Sequence, residues 1–263
     1  MEKRSGRSKK RRSYSQKRIR TLDILIIVLV IALVFVVVFG SIRDRRLLKE
    51  NMASCGEEKE EIGIKNQNNI TSPYNKIKEG KNLNILVLGD GIGLSEGIKD
   101  TNNNWTTDLS RYLKEEYKVN SNITNLSEKE ENSKIALEKL EKNKGNYDLA
   151  YVFLGQEDKD SLKPGEFQSN YKEIIKILKE RNSKVDIVPV IENSLRNKNE
   201  YTNIIEEISK DDNLKVLDMA TVFTKDPKPY KELTSDNIYP NDLGYELYTN
   251  NIKSLLEENL KEI

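Results

Sequence analysis

The apolar positions divide the chain into three regions. Residues 24–39 run Ile-Leu-Ile-Ile-Val-Leu-Val-Ile-Ala-Leu-Val-Phe-Val-Val-Val-Phe, and Leu22 and Ile42 extend the segment to 21 residues. At ~1.5 Å per residue a helix of that length covers ~30 Å, the thickness of a bilayer core. The pattern predicts a transmembrane helix over 22–42. Residues 43–80 are rich in Glu, Lys and Asn and poor in large apolar side chains, so they predict a flexible, solvated tether. From Leu83 onward, short apolar runs alternate with stretches of helical period. Strands are predicted at 84–88, 123–126, 148–154, 185–190 and 214–218. Helices are predicted at 105–117, 131–142, 166–181, 199–210 and from Asp242 to about Leu260. Pro189 inside the fourth strand suggests a bend or an edge. Alternation of this kind argues for one α/β domain over 81–263, with a parallel sheet covered on both faces.

Charge changes the picture of the first region. The formal net charge of +1 conceals an asymmetry. Residues 1–50 hold 14 Lys/Arg against 4 Asp/Glu, and the remaining residues hold 30 against 39. A basic head over 1–21 precedes the apolar run, so the positive-inside bias predicts a cytoplasmic N-terminus and an extracytoplasmic C-terminal domain. The protein is then a single-pass membrane protein whose membrane contact is residues 22–42. A cleaved signal peptide fits less well, because Arg43, Asp44, Arg45 and Arg46 stand where small residues are needed. Met-Ala-Ser-Cys at 52–55 is separated from the apolar run by charges, so Cys55 reads as a lone thiol rather than a lipid attachment site. The acidic body argues against a nucleic-acid partner.

Composition restricts the chemistry. Histidine is absent and Cys55 is the only cysteine. This excludes His-ligated metals, histidine general bases, Ser-His-Asp and Cys-His triads, and a disulfide framework. No cofactor and no metal are expected. In open α/β sheets, ligands bind beyond the carboxyl ends of the strands. Three clusters fall at such ends: Gly-Asp-Gly at 89–91, Gly-Gln-Glu-Asp at 155–158 and Asp-Asn-Ile-Tyr-Pro-Asn at 236–241. Turn and cap chemistry accounts for the glycines, Pro240 and Asn241. It leaves four carboxylates at converging ends: Asp90, Glu157, Asp158 and Asp236. They read either as solvated acids at helix N-termini or as a site for a cationic ligand or a hard divalent ion.

Over roughly residues 82–260 these clusters resemble the sequence blocks of the SGNH, or GDSL-type, esterases and lipases. Ile-Leu-Val-Leu-Gly-Asp-Gly at 85–91 is similar to the block that carries the nucleophilic serine. Leu-Gly-Gln-Glu-Asp at 154–158 is similar to the Gly-x-Asn-Asp block, and Asp-Asn-Ile-Tyr-Pro-Asn at 236–241 to the Asp-x-x-His-Pro-Asn block. The resemblance implies an SGNH hydrolase-like fold, a flavodoxin-like three-layer sandwich on a five-stranded parallel sheet. It also shows departures. Gly91 stands at the serine position, Glu157 at the oxyanion asparagine and Tyr239 at the histidine, while Asp236 keeps its place with no histidine to orient. The glycine donor of the second block has no clear counterpart around Leu126–Lys129. Gly91 can form no acyl-enzyme, an ionised Glu157 offers only acceptors, and a phenol is a poor base at neutral pH. Losing nucleophile and base together removes on the order of 10⁶ in rate in a related triad enzyme.

No catalytic residue of the family type is therefore expected. The candidates for ligand binding are Asp90, Gly91, Ser95, Gly155, Glu157, Asp158, Asp236 and Tyr239. Ser95 reads either as a substitute nucleophile or as a turn or cap residue. The leading expectation is a membrane-anchored SGNH-like domain without esterase activity, binding an envelope glycan, an acylated polymer or a protein partner. The rivals are a hydrolase with altered chemistry, using the carboxylates or a metal-activated water, and an envelope assembly factor in which the anchor matters most.

Overall fold

A computed structural model of the chain describes residues 71–101, 104–197 and 199–263. The basic head, the apolar span over 22–42, Cys55 and most of the tether lie outside the described residues. Among the described residues no helix is long and apolar enough to cross a membrane.

Five parallel strands form one sheet: β1 (Leu83–Gly89), β2 (Ser121–Asn125), β3 (Leu149–Phe153), β4 (Asp186–Ile191) and β5 (Leu217–Asp218), in the order β2-β1-β3-β4-β5. The register sets Ile85 beside Leu149, Leu149 beside Asp186 and Val190 beside Leu217. β1, β3 and β4 are apolar almost throughout because both faces are covered. On one face Ile85, Val87, Tyr151, Phe153 and Val188 join a cluster with Trp105, Leu109, Tyr245 and Tyr248. On the other, Leu86, Leu88, Ala150, Val152 and Ile187 join Leu140, Phe167, Tyr171, Ile174 and Ile205. The layers come from α1 (Pro73–Lys78), α2 (Gly91–Leu94), α3 (Trp105–Tyr117), α4 (Ser133–Lys142), α5 (Asp158–Ser161), α6 (Pro164–Arg181), α7 (Glu200–Asp211), α8 (Met219–Lys225) and α9 (Asp242–Lys261). The expected five-stranded parallel α/β fold is present.

Two expectations change. Residues 73–78 are not tether: Ser72 and Pro73 start α1, and Tyr74 and Ile77 are buried in the core. The Tyr74 hydroxyl donates to Asp186 and accepts from Asn259 Nδ2 at 2.6 Å. Lys76 Nζ meets Asp148 Oδ1 at 2.6 Å. These bonds fasten α1 to the amino ends of β3 and β4 and to the end of α9. The fifth strand shrinks to two residues. That explains Pro189: β5 pairs only with Val190 and Ile191, so at Pro189 strand β4 is an edge.

Candidate functional site

Strand order reverses between β1 and β3, and such a switch point opens a crevice at the carboxyl ends. Gly89 ends β1 with φ +153°, and a Cβ there would lie 1.9 Å from the Phe153 carbonyl oxygen. Only glycine lets the backbone turn so close to β3. Asp90 follows as the N-cap of α2, accepting from the Ile92 amide at 2.8 Å. Its carboxyl is fully buried and burial pushes it up to about 7.

Gly91 and Tyr239 meet face to face. A Cβ at Gly91 would stand 2.7 Å from Tyr239 Cε1 and 3.2 Å from its hydroxyl. The phenol ring thus fills the space into which a side chain at position 91 would project. Tyr239 is 8% exposed. Burial, with Glu157, Asp90, Glu96 and Asp236 nearby, holds its hydroxyl above the ordinary phenol range. Lys129 Nζ lies 5.7 Å from the centre of the ring and 3.3 Å from Glu96 Oε1.

Asp236 is not idle. It sits on an exposed turn and accepts from the amides of Ile238 at 3.0 Å and Tyr239 at 2.8 Å, so it positions the Tyr239 backbone. Asn241 then caps α9, accepting from Leu243 and Gly244. Glu157 is half-buried at the start of α5 and caps nothing with its side chain. Burial, then Asp160 and Glu130, hold its carboxyl above the usual range. Asp158 is buried and committed to structure: it accepts from Ser133 N at 2.9 Å and Gly155 N at 3.1 Å, joining the turn after β3 to the start of α4. Ser95 is a buried C-cap with φ 71°, and its Oγ has no hydrogen-bond partner among the described residues. The structure therefore gathers Asp90, Gly91, Glu157 and Tyr239, and assigns Gly155, Asp158 and Asp236 to loop architecture.

The loop after β2 offers little to an oxyanion. The amide of Leu126 donates to Val87 O, that of Ser127 to Asn125 Oδ1 and that of Glu128 to Gly89 O. Lys139 Nζ pins the loop from below, holding Leu126 O at 3.3 Å, Glu128 at 2.6 Å and buried Glu131.

Glu192 is the residue that sequence reasoning missed. It follows β4, is fully buried and accepts from Gln156 N at 3.2 Å. Burial and Asp90 hold its carboxyl well above the usual range. The signal was available: Glu192 is another carboxylate directly after an apolar run. Asn193 beside it ties Tyr248, Tyr230 and the Ile238 carbonyl together. Among the described residues, no group of three or more Asp, Glu, Cys or His side chains is placed to hold a metal ion.

The match to the GDSL-like Lipase/Acylhydrolase family runs over residues 87–247, from inside β1 to the first turns of α9. The chain belongs to that family. Comparison with curated proteins gave no match. Among solved structures, a two-domain esterase (CEX) active on acetylated mannans superposes with a TM-score of 0.62 at 18% identity. That match covers 70% of this chain and 51% of the esterase, so the chain spans about half the length of that protein. The psychrotrophic esterase EstA from Pseudoalteromonas sp. matches with a TM-score of 0.53 at 20% identity, over 68% of this chain and 98% of its own. A putative GDSL-like lipase from Parabacteroides merdae ATCC 43184 matches with a TM-score of 0.55 at 16% identity, over 67% and 96%. At these identities the likeness is one of fold.

Proposed function

We propose that the protein is a membrane-anchored, extracytoplasmic member of the family that has given up ester hydrolysis and acts by binding an envelope glycan, an acylated polymer or a protein partner. One observation carries this reading: the Tyr239 ring occupies the room that a nucleophile's side chain at position 91 requires. Three further features support it. The phenol holds its proton too tightly to serve as a base. Glu157 presents a carboxyl where the family presents an amide. The amides after β2 are spent inside the fold. The competing reading is hydrolysis with altered residues, favoured by the esterases among the structural relatives.

The two are separated by assaying full-length protein in detergent with short acyl esters and a fluorophosphonate probe. The expected result is no turnover above buffer and no labelling. Turnover exceeding that of a Ser95→Ala control, or labelling of any serine, overturns the binding role. Anchoring is checked by fractionation: full-length chain should resist alkaline extraction of membranes, and a chain lacking residues 1–42 should not.

A further inference from the structure

Beneath the contact between Gly91 and Tyr239 lies a pair of carboxyls that the proposed function does not use. Asp90 follows β1, Glu192 follows β4, and neither is exposed to solvent. Both residues are held at the carboxyl end of β3: the Asp90 amide donates to Phe153 O at 3.1 Å, and Glu192 takes the amide of Gln156, three residues further on. One oxygen of each is held by backbone, Asp90 Oδ1 by Ile92 N at 2.8 Å and Glu192 Oε2 by Gln156 N at 3.2 Å. The other two oxygens, Asp90 Oδ2 and Glu192 Oε1, are buried and meet no donor among the described residues.

Two adjacent buried carboxylates cannot both stay ionised at acceptable cost. A proton between them turns one into a donor and the other into its acceptor. The groups facing the pair reinforce this. Glu157 and Asp158 approach from the turn after β3, Tyr171 from α6, Tyr239 from the turn before α9, and Tyr245 and Tyr248 from α9 itself. All are acids or phenols, and their fields favour keeping the proton.

We propose that this shared proton closes the crevice: while it is present the Asp90–Glu192 pair stays buried under Gly91 and Tyr239, and its loss opens the segment around Gly91 to water. The route is set by the weakest cover. Of the four rings facing the pair, Tyr171, Tyr245 and Tyr248 have no exposure, and Tyr239 alone reaches the surface. Its contact is with Gly91, the residue next to Asp90, at the start of a four-residue helix. Burial pushes Asp90 up to about 7, and burial and Asp90 hold Glu192 well above the usual carboxylate range. The pair therefore retains a proton that two separate carboxylates would have lost, and gives it up as pH rises.

Trp105, the only tryptophan, donates its Nε1–H to the Gly93 carbonyl at 3.3 Å and so reports on α2 directly. Full-length protein in detergent is followed from about pH 6 to about pH 9 by acrylamide quenching of Trp105 and by hydrogen exchange. Exchange in 89–97 and 236–241, corrected for intrinsic base catalysis, should rise by up to about tenfold per pH unit until the last proton is lost, with α9 still protected. Both Glu192→Gln and Asp90→Asn should remove the rise, because each leaves a single charge with a permanent donor. A flat wild-type profile, or the same rise in either folded variant, overturns the proposal. Infrared spectroscopy covers the case in which the variants fail to fold: wild-type protein should show a protonated carboxylic-acid band at neutral pH that disappears with the opening. Its absence also overturns the proposal.

Discussion

At the scale of single residues, the site is defined by a reciprocal pair. Glycine at 91 is required by the ring at 239, and the ring is tolerated because 91 has no side chain. Gly91→Ser alone should therefore overpack the seam and cost about 1–3 kcal/mol in urea unfolding. Adding Tyr239→His should recover most of that loss, since the smaller ring clears the Cβ. A single and a double variant of equal stability would show that the contact carries no strain. The pair also marks where sequence reading stops. Gly91, Glu157 and Tyr239 were each visible as departures from a family pattern. Their mutual fit was not, because contact between positions so far apart follows only from the fold. Glu192 was hidden for the same reason: it reads as an ordinary strand end until β4 is placed near β1 by the intervening β3.

At the scale of elements, legibility followed length and periodicity. The helix over 105–117 and the strands β1 and β3 stood out because a dozen residues of helical period, or an unbroken apolar run, leave little choice. The four-residue α2 and α5 and the seven-residue α8 are too short to show a period. In sequence α1 resembles tether, because Tyr74 and Ile77 are isolated apolar side chains in a charged stretch. Its docking depends on polar bonds to residues distant in sequence. Tyr74→Phe tests this. It removes the donor to half-buried Asp186 and should cost about 1–3 kcal/mol in chemical denaturation with an unchanged m-value. Burial already holds the Asp186 carboxyl up and the Tyr74 hydroxyl bond opposes that shift. The loss should accordingly be larger near pH 8 than near pH 5, where Asp186 can take a proton.

At the scale of the whole molecule, the acidic body predicts a direction of pH response. Asp90, Glu131, Asp158, Asp186 and Glu192 are all held above the carboxylate range, burial being the first cause in each case. A group whose folded value is raised binds its proton more tightly in the native state. The stability it contributes is complete below its unfolded value, near 4, and is lost as pH rises through the folded value. For Asp90 and Glu131, both pushed up to about 7, that window runs from about pH 4 to about pH 7. Within it, each such group lowers stability by about 1.4 kcal/mol per pH unit. Thermal unfolding should therefore show a higher midpoint near pH 5 than near pH 8. Glu192→Gln should shrink the difference. A midpoint that climbs from pH 5 to pH 8 would contradict the assignment of these acids as proton-retaining.

The bond between Asn259 and Tyr74 has a consequence for connectivity. It brings the last turn of α9 against the first helix of the domain, at the amino ends of the strands, while Gly91 and Tyr239 lie at the carboxyl ends. The two chain ends of the fold are thus neighbours at the pole away from the crevice. The polypeptide can be recut there: a short linker joining them, with new termini opened in the exposed turn around Lys144, gives a circular permutant in which every strand keeps its neighbours and the crevice keeps its walls.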